Sequence, residues 1–398
     1  MRVLFTAVAG RPHLFPLVPL AWACRAAGHE VRLASAPSAA EIIVHTGLPA
    51  VVIGSGPRQS PEDRADLVRS VYGQPPWPRD WPALVTRLDD GQRDLLARLG
   101  RYLVTAADAM ADGLISFARQ WKPDVIVHDA ITYAGEVAAQ KLDIPNVKHN
   151  FGTATQPRLH TVPEYAALFH RHHTIPRTAA TATIDPTPHS MRFPTLAEPV
   201  LDMRYVPYNG SGTVPRWLAG PSPRPRVCVT WGHTAPDALG ESAVDPYRMV
   251  IDALAPMDVD IVVVTTAAQL DELGALPTRV RTAPSAPLHL VLPHCDAIVQ
   301  QGGDGTTLTA AVAGIPQLAI TCKPDAEIAP GRLCAVGAGI HLYYQHLRSD
   351  PRCERVVRDA VSTLLADSGI GAAAGRLRAE IEEMPPPAEL VATIEKLG

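Results

Sequence analysis

The stretch MRVLFTAVAGRPHLFPLVPLAWACRAAGHEVRLAS, residues 1–35, contains a strand, a helix and a second strand in immediate succession. RVLFTAV is a short apolar run that contains β-branched and aromatic residues, PLVPLAWACRAAGH is longer and rich in alanine and leucine, and EVRLAS follows at once. Gly28 stands where a glycine commonly ends a helix. This order predicts a βαβ unit, in which parallel strands are covered by helices.

The same alternation of strand and helix returns along the whole chain. DVIVHD, residues 124–129, is followed by a helical run and by NVKHNF. A second series starts near residue 225 with PRVCVTWG and continues through VDIVVVTT, DAIVQQ and QLAIT. We therefore predict an α/β fold with two doubly wound, parallel-sheet domains of the Rossmann-like type, which face each other across a cleft.

The chain of 398 residues is too long for one ordinary core, and its two series are separated by a segment without an apolar period. That segment, residues 203–226, is rich in Pro, Gly and Ser. We predict an N-terminal domain over 1–208, a linker over 209–224 and a C-terminal domain over 225–398. Packing of the last helix back on the N-terminal domain is left open.

Two segments interrupt the alternation of strand and helix. They are predicted to be long insertions beside the cleft, made mostly of loop. Residues 54–95 contain Trp77 and Trp81 among many prolines and glycines. Residues 152–200 contain HRHH at 170–173. A metal site at HRHH is disfavoured, because two adjacent histidines rarely reach one metal and a solvated helix explains them as well.

Composition excludes several classes of protein. The net charge of −4 and the isoelectric point near 6.4 argue against a nucleic-acid-binding protein, which usually carries a basic domain. Six scattered cysteines without a CxxC pair indicate reduced thiols and a cytoplasmic location. No stretch approaches twenty apolar residues and no signal peptide is recognised at the N-terminus, so no membrane span is predicted.

A glycine-rich turn, residues 301–305, joins the strand DAIVQ to a helix predicted to begin about Thr306. Glycines permit positive φ angles and a close approach of backbone N–H groups to a ligand, and the first turn of the helix adds unpaired donors. Thr306 and Thr307 add hydroxyl groups. The turn therefore predicts an anion site, although tight packing alone gives the same composition. No GK[ST] follows, so it is not a P-loop.

Two polar residues follow strands of the first series. His13 lies just past the first strand, where an imidazole can take a proton from an alcohol; the alternative is a capping or surface histidine. Asp129 ends the strand DVIVHD, where a carboxylate can orient a histidine; the alternative is a helix cap.

Together these pieces resemble the GT-B family of inverting, nucleotide-sugar-dependent glycosyltransferases in its actinobacterial natural-product branch. GRPHLFPLVPLAWACRAAGHEV is similar to the family's N-terminal signature, and QQGGDGTTLTAAVAGIPQLAI is similar to its donor motif. MRYVPYNGSGTVPRWL is similar to a segment of transferases that move deoxysugars from dTDP donors to polyketides, macrolides or enediynes. The resemblance covers nearly the whole chain.

The resemblance implies roles for individual residues. His13 would deprotonate an acceptor hydroxyl and Asp129 would orient it, with in-line attack at the anomeric carbon and inversion. Trp77 and Trp81 are predicted to contact the acceptor. The donor-binding residues that the resemblance implies are Gly232, Thr234, Gln301, Gly302, Gly303, Gly305, Thr306, Thr307 and Asp325.

The expected substrates are a dTDP-sugar or UDP-sugar and a hydrophobic aglycone. No metal, no cofactor and no nucleic-acid or membrane partner is expected, and the question of a homodimer stays open.

The chain also departs from the family pattern. Gln301 replaces a histidine that donates to a phosphate, and Asp304 stands where Ala or Ser is usual. The carboxylate of Asp304 would either face a dianion or cap the helix and point away. Asp325-Ala326 replaces a family Asp-Gln pair, and an aromatic residue that stacks on the base is missing near Ser285. Two alternatives therefore stay open, a nucleotide-sugar 2-epimerase and a catalytically silent auxiliary protein of the same fold.

Overall fold

The computed structural model describes residues 1–54, 61–72, 74–78, 81, 85–153, 162–176, 180–192, 200–232 and 244–398. Within these residues the strands form two separate sheets, one of seven strands and one of six, and all neighbouring strands are parallel. The predicted α/β class with two doubly wound parallel sheets is confirmed.

The first sheet has the order β3–β2–β1–β4–β5–β6–β7. Its strands are β1 (Arg2–Thr6), β2 (Glu30–Ser35), β3 (Ala50–Val52), β4 (Val125–Asp129), β5 (Asn146–His149), β6 (Ala182–Asp185) and β7 (Val200–Asp202).

The second sheet has the order β10–β9–β8–β11–β12–β13. Its strands are β8 (Arg226–Thr230), β9 (Asp260–Val263), β10 (Val280–Thr282), β11 (Ala297–Gln300), β12 (Gln317–Thr321) and β13 (Gly339–Tyr343).

Helices cover both faces of the sheets. The described α-helices are α1 (Arg11–Leu14), α2 (Val18–Ala26), α3 (Ala40–His45), α4 (Pro61–Tyr72), α5 (Asp90–Trp121), α6 (Tyr133–Leu142), α7 (Pro163–Arg171), α8 (Asp245–Leu254), α9 (Ala267–Leu273), α10 (Leu288–Val291), α11 (Asp304–Ala313), α12 (Ile328–Ala335), α13 (Tyr344–Ser349), α14 (Cys353–Ala366), α15 (Ser368–Glu383) and α16 (Pro387–Glu395). Short 3₁₀ helices span Phe15–Leu17, Pro37–Ala39, Val85–Arg87, His189–Met191, Arg216–Leu218, Leu292–His294 and Pro324–Glu327.

Strand β1 shows why a continuous apolar run forms a central strand. Successive side chains of a strand point to opposite faces, so alternate residues enter different cores. Val3 and Phe5 pack in the core beneath helix α2, whereas Leu4 packs in the core formed with α5 and α6. Each buried side chain of this size stabilises the fold by roughly 1.5–3 kcal/mol.

The C-terminal helix α16 packs against the first sheet's layer of helices. Leu390, Val391 and Ile394 are buried in the same core as Val3 and Leu20. The end of the chain therefore returns to the part of the molecule in which it began.

The two segments predicted to be mostly loop contain regular structure, so that prediction is wrong for part of each. Residues 61–72 form helix α4 and residues 163–171 form helix α7. Strands β6 and β7 also fall within or at the end of the second segment. These strands have only three or four residues and lie at one edge of the sheet, where a short pattern with polar positions carries little signal.

No helix in the described part of the chain is both long and apolar enough to cross a membrane. The long helix α5 is amphipathic instead: it begins with a capping box of Asp89 and Gln92 and buries one face against α6 and α7.

Candidate functional site

The ends of strands β1 and β4 bring a histidine and an aspartate together. The two strands are neighbours at the point where the strand order of the first sheet reverses, and α/β proteins bind ligands in the crevice at such a point. His13 lies in the four-residue helix α1 after β1, and Asp129 is the last residue of β4. The Nδ1 atom of His13 lies 3.1 Å from Oδ1 of Asp129. The predicted proximity of these two residues is therefore present.

The Asp129 carboxylate is held in place by its own loop. Its Oδ2 accepts hydrogen bonds from the backbone N–H of Ile131 at 3.2 Å and from the Thr132 hydroxyl at 3.0 Å. The Thr132 oxygen in turn accepts from the backbone N–H of Val8 at 2.9 Å. Because an ionised carboxylate only accepts hydrogen bonds, Nδ1 of His13 carries the proton, and Nε2 is the nitrogen that can take one.

Phe151, two residues after the end of β5, contacts the same imidazole. The ring centroids of His13 and Phe151 are 4.8 Å apart and the rings meet edge to face. The His13 side chain is 21% exposed and Asp129 is 1% exposed. One partly exposed imidazole thus lies between a buried carboxylate and an aromatic ring. No local sequence signal indicates the contribution of Phe151.

The second sheet has its own reversal point, between β8 and β11, and a glycine follows each of these strands. Gly232 after β8 has φ +65° and Gly302 after β11 has φ +89°, both in the left-handed region. A Cβ atom on Gly302 would lie 2.4 Å from the carbonyl oxygen of Ala326 and 2.5 Å from Cγ2 of Thr321. The glycine is therefore required by both conformation and space.

Helix α11 begins directly after this turn, two residues earlier than predicted. Gly303 is its N-cap and contributes no capping side chain. The first backbone N–H groups of the helix are therefore available to a ligand, together with the positive end of the helix dipole. Gly305 and Thr306 lie in this first turn. This arrangement suits an anionic group such as a phosphate.

A buried hydrogen-bond network around Gln300 supports the glycine-rich turn. The sequence analysis did not predict this network. The Gln300 amide nitrogen donates to the Thr307 hydroxyl at 3.0 Å and to the Gln317 amide oxygen at 3.2 Å, and its oxygen accepts from the Gly302 N–H at 2.6 Å. Thr307 is fully buried. The Thr307 side chain therefore supports the turn, and the contact of this residue with the donor stays a prediction.

Comparison with protein families agrees with this geometry. A family model described as erythromycin biosynthesis protein CIII-like, N-terminal domain, matches residues 22–232, and the corresponding C-terminal domain model matches residues 248–397. The chain belongs to this family.

Individual relatives of this chain support the same conclusion. The 10-deoxymethynolide desosaminyltransferase of Streptomyces venezuelae is 35% identical over 100% of this chain and 97% of its own length. The aklavinone 7-beta-L-rhodosaminyltransferase of Streptomyces galilaeus is 36% identical over 100% of this chain and 96% of its own length. The solved structure of spinosyn rhamnosyltransferase SpnG superposes with a TM-score of 0.84 at 30% identity, covering 99% of this chain and 100% of that chain. The predicted GT-B fold and glycosyltransferase activity are confirmed.

The side chain of Gln301 lies between the turns that contain Gly232 and Gly302. Its amide nitrogen lies 3.4 Å from the Thr306 hydroxyl oxygen. A Cβ atom on Gly232 would lie 2.7 Å from that nitrogen, and one on Gly303 would lie 2.9 Å from it. Among the described residues, the amide oxygen of Gln301 is buried without a hydrogen-bond partner. The side chain thus occupies the space between the turns, and its contact with the donor stays a prediction.

Asp304 does not cap helix α11, because it is the first residue of the helix and Gly303 is the N-cap. Its carboxylate instead accepts hydrogen bonds from Thr153, which follows β5 of the first sheet. The interpretation that this side chain caps its own helix is therefore wrong.

The predicted sugar contact, Asp325, lies in the 3₁₀ helix that follows β12. Its side chain is 50% exposed and its Oδ2 lies 2.6 Å from Nζ of Lys323. The carboxylate is therefore accessible after β12, the strand next to β11, which precedes the glycine-rich turn. Its role in sugar binding stays a prediction. Thr234 lies outside the described residues.

Trp77 and Trp81 are buried between the two halves of the protein. Their rings meet edge to face at 4.9 Å and pack with Leu95 and Ile328. The indole N–H of Trp81 donates to the carbonyl oxygen of Pro324 at 3.3 Å. The tryptophans thus join the first insertion to the segment that carries Asp325, and their contact with an acceptor stays a prediction.

In the described ranges, no group of three or more His, Cys, Asp and Glu side chains is placed to hold a metal ion. His172 and His173 follow helix α7, and Nδ1 of His172 lies 3.6 Å from Oδ1 of Asp112.

The carboxyl group of Glu327 should make the stability of the folded chain depend on pH. Burial raises the pKa of this carboxyl to about 8, opposed in part by a hydrogen bond from the backbone N–H of Trp77. Between its usual pKa near 4.5 and this value, the folded chain keeps a proton that the unfolded chain releases. This contribution to stability is lost as the pH rises to about 8. Glu327→Gln should therefore match the wild type in melting temperature near pH 4.5 and exceed it above pH 8.

The control is Glu389→Gln, an exposed glutamate of helix α16. A change in melting temperature like that of Glu327→Gln at this surface position would show that the effect does not come from burial. A difference between Glu327→Gln and the wild type that stays constant over this pH range would contradict the assignment.

Proposed function

We propose that this protein transfers a deoxysugar from a dTDP-sugar to a hydroxyl group of a polyketide-type aglycone, with inversion at the anomeric carbon. The relatives support this donor and acceptor class. Their names specify a desosaminyl group and 10-deoxymethynolide, or a rhodosaminyl group and aklavinone. SpnG has also been solved with thymidine diphosphate and with spinosyn aglycone.

The observation that carries the mechanism is the 3.1 Å contact between His13 and Asp129 at the carboxyl ends of two neighbouring strands. In the proposed reaction Nε2 of His13 takes the proton of the acceptor hydroxyl. The buried Asp129 keeps the proton on Nδ1 and stabilises the imidazolium that forms.

The bond changes follow from this proton transfer. The acceptor oxygen forms a bond to the anomeric carbon as the bond from that carbon to the β-phosphate oxygen breaks on the opposite face. The dTDP leaving group gains the electron pair of that bond. The N–H groups at the start of α11 and in the glycine turns stabilise its charge.

A matrix of dTDP-deoxysugars and polyketide aglycones tests the function. The expected product is a glycoside of the added mass, formed with stoichiometric release of dTDP. Its anomeric configuration, read from the proton–carbon coupling in NMR, should be opposite to that of the donor. Isomerisation of the donor at equal rates with and without aglycone would reject the proposal and favour the epimerase alternative. Hydrolysis of the donor at equal rates with and without aglycone, with no glycoside formed, would also reject the proposal.

Metal dependence is a separate prediction. If the donor's diphosphate charge is met by backbone N–H groups, a chelator such as EDTA should leave the transfer rate unchanged, and added Mg²⁺ should not restore or raise it. The measurement is the initial rate of dTDP release before and after chelation and dialysis. A loss of activity that Mg²⁺ reverses would show that the reaction needs a metal.

A further inference from the structure

The first residue of the donor-side helix is joined to the loop that follows strand β5. Oδ1 of Asp304 accepts two hydrogen bonds from Thr153, one from its backbone N–H at 2.8 Å and one from its hydroxyl at 2.5 Å. Gly152 permits this approach, because a Cβ atom there would lie 2.3 Å from Cβ of Asp304. The loop after β5 and the start of helix α11 are therefore in contact beside the glycine-rich turn.

The same loop contacts the candidate base. Phe151 precedes Gly152 and Thr153, and its ring lies edge to face on the His13 imidazole. Residues 151–153 thus contact His13 at one end and Asp304 at the other. A side chain on the helix that is proposed to hold the donor is in this way connected to the imidazole that is proposed to activate the acceptor.

Burying the carboxylate of Asp304 costs free energy, and neither helix capping nor packing explains why a carboxylate stands at this position. Burial raises the pKa of Asp304, and the hydrogen bonds from Thr153 oppose that rise. Alanine or serine would avoid both this burial and the negative charge next to a diphosphate site. The two hydrogen bonds to Thr153 are the interaction that only an acceptor side chain of this length provides.

We infer that Asp304 is a positioning residue: through Thr153 and Phe151 it fixes the imidazole of His13 against Asp129 when the two domains enclose the substrates. The inference rests on the proposed function, since it assigns His13 as the base. It adds a residue of the C-terminal half to the alignment of a base that lies in the N-terminal half.

The kinetic test compares Asp304→Ala with Asp304→Asn. The alanine variant loses the acceptor, and we expect its kcat to fall about 10- to 100-fold, as for a misplacement of about 1 Å at a reacting group. Its Kd for dTDP should change by less than about threefold, because the turn and the helix N–H groups remain. The asparagine variant keeps a carbonyl Oδ1 that accepts both hydrogen bonds, so it should recover most of the lost rate.

A double-mutant cycle separates positioning from general structural damage. In a His13→Ala background, Asp304→Ala should cause no further loss of kcat, because the residue through which it acts is gone. Multiplicative losses would overturn the inference, as would an asparagine variant as slow as the alanine variant. If Asp304→Ala does not fold, Thr153→Val and Thr153→Ser replace it: valine should lower kcat, serine should restore it, and equal rates would overturn the inference.

A readout without turnover keeps this inference separate from the proposed function. The imidazole NMR signals of His13, assigned by their loss in His13→Ala, should shift in Asp304→Ala and return in Asp304→Asn. Unchanged His13 signals in Asp304→Ala would overturn the inference even if the enzyme transfers sugar as proposed. A wild-type protein that transfers no sugar would overturn the proposed function but not the coupling that these signals report.

Discussion

Replacing His13 by alanine should lower kcat for sugar transfer by about 10²- to 10⁴-fold, the range that a positioned general base contributes. The reason is chemical, because the acceptor hydroxyl then loses the nitrogen that takes its proton. His13 follows a strand of the first sheet, whereas the glycine turns follow strands of the second sheet. The Kd for dTDP should therefore stay within about twofold of the wild-type value. Steady-state kinetics and calorimetric titration with dTDP measure the two quantities.

Asp129→Asn is the matched variant for this prediction. The asparagine keeps the size of the side chain and its contacts with the loop, but it no longer favours the proton on Nδ1 of His13. Transfer should fall by several orders of magnitude while dTDP binding is retained. Equal rates of dTDP release by the wild type, His13→Ala and Asp129→Asn would show that the mechanism is wrong.

Replacing Gly302 by alanine should destabilise the second domain and abolish tight binding of dTDP. The backbone at φ +89° strains any residue with a Cβ atom, and that atom would overlap with Ala326 and Thr321. Strain and overpacking together should lower the free energy of unfolding by about 2–4 kcal/mol. Movement of the turn would also displace the N–H groups proposed to bind the diphosphate. Chemical denaturation and calorimetry with dTDP measure the two effects.

Gly331→Ala is the control for the same substitution. Gly331 lies within helix α12, and a Cβ atom built there meets no other atom within 4 Å. Alanine in a helix is favoured over glycine by about 0.5–1 kcal/mol, so this variant should be slightly more stable and bind dTDP normally. A Gly302→Ala protein as stable as Gly331→Ala, with wild-type dTDP affinity, would refute the assignment of the turn.

The sequence predicts the central strands well because they are continuous apolar runs buried on both faces. β1, β4, β8, β11 and β12 all lie in segments predicted as strands, and each is flanked by partners in the middle of a sheet. Short strands at the sheet edges, such as β3 and β10, were not predicted, because three residues carry no usable period.

In the candidate site, too, contacts set by neighbouring strands could be predicted, whereas contacts between the two halves of the protein could not. The pairing of His13 with Asp129 follows from the rule that neighbouring parallel strands bring their carboxyl ends to one edge of the sheet. Partners that depend on how the two halves meet were not predictable. Thr153 and Asp304 are 151 positions apart, and neither lies in a pattern that indicates the other. The same holds for the burial of Trp81 against Pro324.

A crystal structure with dTDP bound tests the central claim most directly. We expect the diphosphate oxygens about 2.7–3.2 Å from backbone N–H groups of the glycine-rich turn and of the first turn of α11. We also expect the β-phosphate to face the cleft toward Nε2 of His13, with space between them for one sugar ring. A nucleotide bound away from residues 302–306, or a diphosphate that faces away from His13, would contradict that claim.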